Sequence, residues 1–121
     1  MTFGRKFYEP LANGAPKPTS EINNDLERVI HFFPPHLKKV TDKLDEISKK
    51  SDVILGNLED GISPKDKIKA RKEFVKKSKK INLRNTGLWT RVNAISSEWF
   101  LDDISFLIKE LGNTLDVIML P

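Results

Sequence analysis

The sequence predicts a parallel α/β fold of four strands with three intervening helices, on three observations. Short β-rich apolar runs recur at spacings of roughly 24 to 35 residues, too far apart for hairpins and suited to crossover connections. Between them, apolar residues step by three and four, the period of a helix packed along one stripe. Turn and cap signals, among them Pro34-Pro35, Ser63-Pro64 and Gly112-Asn113, fall at the junctions.

Residues 1–27 hold Pro10, Pro16, Pro18, Gly4 and Gly14 without a sustained period and predict an irregular arm. Its Phe3, Phe7, Tyr8 and Leu11 favour packing on the body or on a neighbouring subunit, with a mobile tail as the alternative. Residues 28–121 carry the repeating units. Arg28 to Phe33 is the first strand, stopped by two prolines that cannot donate to a sheet ladder. Leu37, Val40, Leu44 and Ile47 form one stripe on a helix to about Lys50. Asp52 to Leu58 is a short apolar run, the second strand, ending in the adjacent carboxylates Glu59 and Asp60. Ser63 as cap, Pro64 at the first helical position and Asp66 near the positive end of the dipole begin the second helix. Ile68, Val75 and Phe74 are expected on its inner face. Leu88 to Asn93 is the third strand, by its β-branched and aromatic content. Ser96 or Ser97 caps a helix with Leu101, Ile104, Leu107, Ile108 and Leu111 inward, and Gly112-Asn113 ends it. Leu115 to Leu120 is the fourth strand.

Composition narrows the function. The 121 residues suffice for one ordinary domain, and 38% hydrophobic with 31% charged residues suits a soluble protein. There is no apolar run of the ~20 residues a membrane span needs, and no secretory signal follows Met1, so a cytoplasmic location is expected. Without cysteine, and with only His31 and His36, thiolate and histidine-rich metal sites are excluded. The net charge of +4 comes largely from residues 65–80, where eight lysines and Arg71 face Asp66 and Glu73. Phe74, the one aromatic residue there, is expected on the inner face and leaves none among the lysines to stack on bases, so a solvated outer helix is favoured over a nucleic-acid surface. Glycine-rich phosphate loops are absent.

Two architectures share the strand–helix rhythm: an open doubly wound sheet, or part of a (β/α)8 barrel. A barrel needs ~250 residues, so this chain supplies at most the first half. Its last strand has no covering helix, which leads us to expect an incomplete barrel or one completed by another copy.

The candidate chemistry lies at the carboxyl ends of the strands, where parallel α/β folds bind ligands. Glu59 and Asp60 suit a divalent cation, directly or through its waters, or a proton transfer, although acids are also common turn residues. Arg91 is costly to leave unpaired in a strand, and its planar fork matches a carboxylate or a developing enolate oxygen. A salt bridge to Glu59 or Asp60 is compatible with that role. His36 falls at the same end as a ligand contact, and Lys39 and Lys43 could meet a phosphate. His31 suits a hydrogen-bonded core position, and the helix dipole accounts for Asp102 and Asp103.

Leu58-Glu59-Asp60, Lys65-Asp66-Lys67-Ile68-Lys69-Ala70-Arg71, Arg91-Val92-Asn93-Ala94, Trp99-x-Leu101-Asp102-Asp103 and Asp116-Val117-Ile118-Met119-Leu120-Pro121 together resemble the citrate lyase beta-subunit family of CoA-ester lyases. Phe7-Tyr8-x-Pro10-Leu11-Ala12-x-Gly14-Ala15-Pro16, His31-Phe32-Phe33-Pro34-Pro35-His36 and Gly56-Asn57-Leu58-Glu59-Asp60 are most similar to its malyl-CoA, methylmalyl-CoA and citramalyl-CoA lyases. The resemblance implies the N-terminal half of a (β/α)8 barrel. It also implies retro-aldol or Claisen cleavage of a malyl-CoA-like thioester to glyoxylate or pyruvate plus an acyl-CoA, with magnesium or manganese. On this resemblance Arg91 polarises the substrate oxygen and steadies the enolate, while Glu59 and Asp60 support the metal and its waters. The direct metal ligands and the general acid or base would lie beyond residue 121, so these residues alone are expected to be inactive. The complete form is expected to be a homo-oligomer without nucleic-acid or membrane partners. Two departures stand out: Pro34-Pro35-His36 replaces a glycine-rich loop of other branches, and Glu98 stands where relatives often have proline. The alternative is a non-catalytic half-barrel interaction module.

Overall fold

The computed structural model describes residues 26–121, so the predicted arm lies outside the described residues except for the exposed Leu26 and Glu27. Strands β1 (Ile30–Phe33), β2 (Val53–Asn57), β3 (Gly87–Arg91) and β4 (Val117–Met119) form one sheet in chain order. Each neighbouring pair is parallel. Helices α1 (Lys38–Thr41) and α2 (Leu44–Ser48) connect β1 to β2, α3 (Lys67–Ser78) connects β2 to β3, and α4 (Phe100–Leu111) connects β3 to β4. A doubly wound sheet must reverse its strand order at a switch point. Here each crossover advances one strand in the same direction, which is the winding of a (β/α)8 barrel's first half.

The two faces of the sheet differ accordingly. Phe33, Ile54, Leu58, Leu88 and Val92 pack in one cluster with Leu44 of α2, Ala70, Phe74 and Val75 of α3, and Leu107 and Leu111 of α4, so the helices cover a single face. Alternation sends the intervening residues to the other face. There the register places Phe32, Leu55, Trp89 and Val117 in one row across the strands, with Asn57, Arg91 and Met119 in the row above. Two carboxylates help to set this register at the opposite end. Asp52 accepts the backbone N–H of Arg28 and Val29 at 3.0 and 2.9 Å, and Asp116 accepts that of Leu88 at 2.8 Å. The Arg28 guanidinium, then the Val29 amide, hold the Asp52 carboxyl below its ordinary range.

Several local expectations are corrected. The single helix from Leu37 to Lys50 is two short helices, because at Lys43 (φ −98°, ψ 0°) the amide donates to Val40 O in a tighter turn rather than continuing the helical ladder. Ser63 does not cap the backbone; its hydroxyl bonds the Asp66 carboxylate at 2.8 Å. Ser96 and Ser97 precede α4 rather than cap it, and the Ser97 hydroxyl bonds Ala94 O at 2.7 Å. Ile68 is exposed, and α3 buries Lys67, Ala70, Arg71, Phe74, Val75 and Ser78 instead. On α4, Leu101 and Ile108 are exposed, while Asp103 is fully buried with Leu107 and Leu111. Nor is Asp103 merely a dipole partner, as its contacts show. His31 is half-buried, with no hydrogen bond to its ring among the described residues.

Asp103 joins three elements. Its Oδ1 accepts Arg71 Nε of α3 at 2.7 Å, and its Oδ2 accepts the backbone and side-chain N–H of Asn93, just past β3, at 3.0 and 2.7 Å. Arg71 also donates to Trp99 O at 3.3 Å. A buried charge is tolerated only when its lone pairs are met in this way. Asp103→Ala would strand the Arg71 guanidinium and two Asn93 donors, and should cost about 3–5 kcal/mol, read from the shift in a urea unfolding transition. Gly56 of β2 is a second sensitive point, since an added Cβ would overlap the edge of the Phe74 ring. In a core whose ring cannot retreat, Gly56→Ala should destabilise by about 1–3 kcal/mol in the same measurement.

Candidate active site

Arg91 and Glu59 meet at the carboxyl ends of adjacent strands. Asn57 and Arg91 lie opposite each other in the β2–β3 register, and Leu58 N donates to Arg91 O at 2.8 Å, so the chain leaving β2 is still tied to β3. Asn57 Oδ1 accepts the amides of Glu59 and Asp60 at 3.1 and 3.2 Å, a side-chain turn that breaks the strand and redirects both acids. Glu59 Oε2 then stands 3.2 Å from Arg91 Nη2, with side-chain exposures of 31% and 28%. That oxygen is buried and has no aligned hydrogen bond among the described residues, so the pair is a contact of charges with acceptor capacity to spare. Asp60 is exposed beside it and makes no ion pair among the described residues.

The geometry brings together Glu59, Asp60 and Arg91 and adds two residues that the sequence reading missed. One is Asn57. The other is Lys67, expected on a solvated helix and found 6% exposed. Its Nζ donates to Leu58 O at 3.0 Å and to Glu59 O, and lies 5.6 Å from the centre of the Trp99 ring. Burial pushes this ammonium below the usual lysine range, while Glu59, Asp103 and Asp60 pull it back. A signal existed: residues 67, 70, 71, 74, 75 and 78 form one helical stripe, with both buried cations on it.

The proposed CoA contacts separate. His36 lines a groove of about 460 Å³ between the β1–α1 turn and α3, together with Lys38, Lys69, Lys76, Lys77 and Lys80. Asp42 and Glu73 temper its positive charge, and His36 Nδ1 is buried without a hydrogen bond among the described residues. Lys39 and Lys43 are exposed and do not line it.

For a divalent cation the donor chemistry fits in part. Glu59 and Asp60 offer hard carboxylate oxygens, and the orphaned Glu59 Oε2 can accept from a metal-bound water. No group of three or more His, Cys, Asp or Glu among the described residues could enclose the ion by itself. A metal here would need further ligands from outside the described residues.

Comparison with known proteins bears on the whole region. The chain is 49% identical over 115 residues to the malyl-CoA/β-methylmalyl-CoA/citramalyl-CoA lyase of Chloroflexus aurantiacus, covering 95% of this chain and 33% of that protein. It is 29% identical over 96 residues to the L-malyl-CoA/β-methylmalyl-CoA lyase of Rhodobacter capsulatus, covering 79% of this chain and 30% of that one. It thus spans about a third of the length of these curated relatives. The solved structure of protein CitE from Mycobacterium tuberculosis in complex with magnesium and acetate superposes with a TM-score of 0.58 at 22% identity. That match covers 76% of this chain and 34% of that one, and supports the barrel-type fold. Residues 28–121, the whole strand-and-helix region, match the HpcH/HpaI aldolase/citrate lyase family model, and the chain belongs to that family.

Proposed function

We propose that this chain forms the first half of a carbon–carbon lyase barrel that cleaves a malyl-CoA-like 3-hydroxyacyl-CoA thioester into glyoxylate or pyruvate plus an acyl-CoA. The observation that carries the reading is the Arg91–Glu59 pair, half-open to solvent at the strand ends where barrel enzymes work. The lyase names of the Chloroflexus and Rhodobacter relatives support the substrate class.

Each residue has a definable part. The Arg91 guanidinium donates to the thioester oxygen and holds the negative charge that collects there as the bond breaks. Glu59 keeps the fork of Arg91 turned toward that oxygen and, with Asp60, would hold the waters of a bound metal. Magnesium, when bound, supplies Lewis-acid stabilisation of oxygen charge without a proton transfer. The positive groove beside His36 is the place we assign to the CoA phosphates, in preference to Lys39 and Lys43. No helix among the described residues is long and apolar enough to cross a membrane. We place the complete lyase in the cytoplasm, as a homo-oligomer.

Two measurements test this. The 121 residues alone, assayed with malyl-CoA and magnesium, should show no turnover above background. Continued into the remaining two thirds of the Chloroflexus protein, they should cleave malyl-CoA in a magnesium-dependent way. No turnover in an extended protein that folds, or full turnover by the 121 residues, would overturn the assignment. In the extended chain Arg91→Lys should lower kcat about 10²- to 10³-fold, the cost of removing one oriented donor to a developing oxyanion. Near-normal kcat would remove Arg91 from the mechanism.

A further inference from the structure

We infer that Lys67 is a positioning residue, which aims Glu59 by fixing the two peptide units on either side of it. The inference takes its catalytic meaning from the lyase reading above, but its geometry stands on its own. The peptide between Leu58 and Glu59 presents Leu58 O at one edge and Glu59 N at the other, and the next peptide presents Glu59 O and Asp60 N. Both carbonyls accept from Lys67 Nζ, and both amides donate to Asn57 Oδ1. One ammonium and one amide oxygen therefore grip both planes from opposite sides. With both planes held, the backbone dihedrals of Glu59 are set, and with them the direction in which its carboxylate leaves the chain toward Arg91 Nη2, 3.2 Å away.

Lys67 is built for this task rather than for contact with substrate. It is 6% exposed, two of its three donors are taken by the carbonyls, and the Trp99 ring lies beside its Nζ at 5.6 Å. Trp99 is itself anchored, since its carbonyl accepts from Arg71 at 3.3 Å. The ammonium thus works from a fixed base on α3 and pulls on a turn that has no other tie on its carbonyl side among the described hydrogen bonds.

Hydrogen exchange and NMR on the 121-residue chain test the idea without turnover. Lys67→Met keeps the stem and removes the charge. The Glu59 and Asp60 amides should then exchange about 10- to 100-fold faster, as expected for loss of a hydrogen bond to a charged group, while Ile54 and Leu55 within β2 keep their protection. Lys67→Arg should restore part of the difference. Equal change across β2 and the turn would reveal a merely stabilising residue and overturn the proposal, as would no change at Glu59 and Asp60. Should Lys67→Met not fold, the wild-type chain still decides: through-hydrogen-bond couplings from Lys67 Nζ to the carbonyl carbons of Leu58 and Glu59 are expected, and their absence refutes the grip. In the extended lyase Lys67→Met should lower kcat about 10- to 100-fold at unchanged KM. An extended chain without turnover would count against the lyase reading and leave the exchange result standing.

Discussion

The buried carboxylate of Asp103 is the interaction on which the arrangement of this half-barrel depends. It is fully inaccessible, yet three N–H groups from two other elements converge on it: Arg71 from α3, and the backbone and side chain of Asn93 just past β3. Because Asp103 sits in the first turn of α4, this one side chain sets the height of two helices against the end of a strand. Asn93 lies two residues beyond Arg91, the last residue of β3. Fixing Asn93 therefore fixes where the strand delivers Arg91, and the candidate site inherits its geometry from a charge that no ligand touches.

A second buried charge performs the matching task on the neighbouring strand. Lys67 and Arg71 are four residues apart on α3, so they lie one turn from each other on the face packed against the sheet. Arg71 holds the exit of β3 through Asp103, whereas Lys67 holds the exit of β2 through two carbonyls. Both also meet Trp99, one at its carbonyl and the other at its ring. A single helix thereby aligns two strand ends, which is what a site shared between Glu59 and Arg91 requires. The strand termini at the other end are aligned by simpler means, Asp52 accepting the two amides just before β1 and Asp116 that of Leu88, the second residue of β3.

How much of this was legible in the sequence follows from which forces leave a pattern. The four strands were found within a few residues, because parallel strands read as apolar runs with turn residues at their ends. Sequential winding left no such trace, since a doubly wound sheet and a barrel share one local rhythm, and only the observed strand order separates them. Helix faces were misjudged wherever polar groups were buried. On α4, the stripe through Leu101 and Ile108 and the stripe through Phe100 and Asp103 share Ile104, Leu107 and Leu111, and hydrophobicity alone chooses the one without the aspartate. On α3, Lys67 and Arg71 disappeared into a lysine-rich composition for the same reason. Glu59, Asp60 and Arg91 were legible because charges directly after, or within, apolar strands are conspicuous. Asn57 and Lys67 act on backbone atoms, whose identity no neighbouring residue type records, so Lys67 was traceable only through the stripe it shares with Arg71.

The contrast between the two arginine–carboxylate pairs bears on which of them serves chemistry. Arg71 and Asp103 are almost wholly buried, with exposures of 9% and 1%, and every oxygen of the carboxylate is met. Such a pair cannot reach a ligand, and breaking it leaves a stranded charge, so its role is structural. Arg91 and Glu59 are about three times more exposed than Arg71, and one carboxylate oxygen lacks an aligned donor. A pair in that setting contributes about 0–1 kcal/mol to stability after solvent screening. Selection for folding alone gives little reason to build a two-sided grip, Asn57 on the amides and Lys67 on the carbonyls, around a pair worth so little. The investment makes sense if what is held in place is the direction of Glu59 and Arg91 toward a third group, and the accessible side of the pair is where that group would bind.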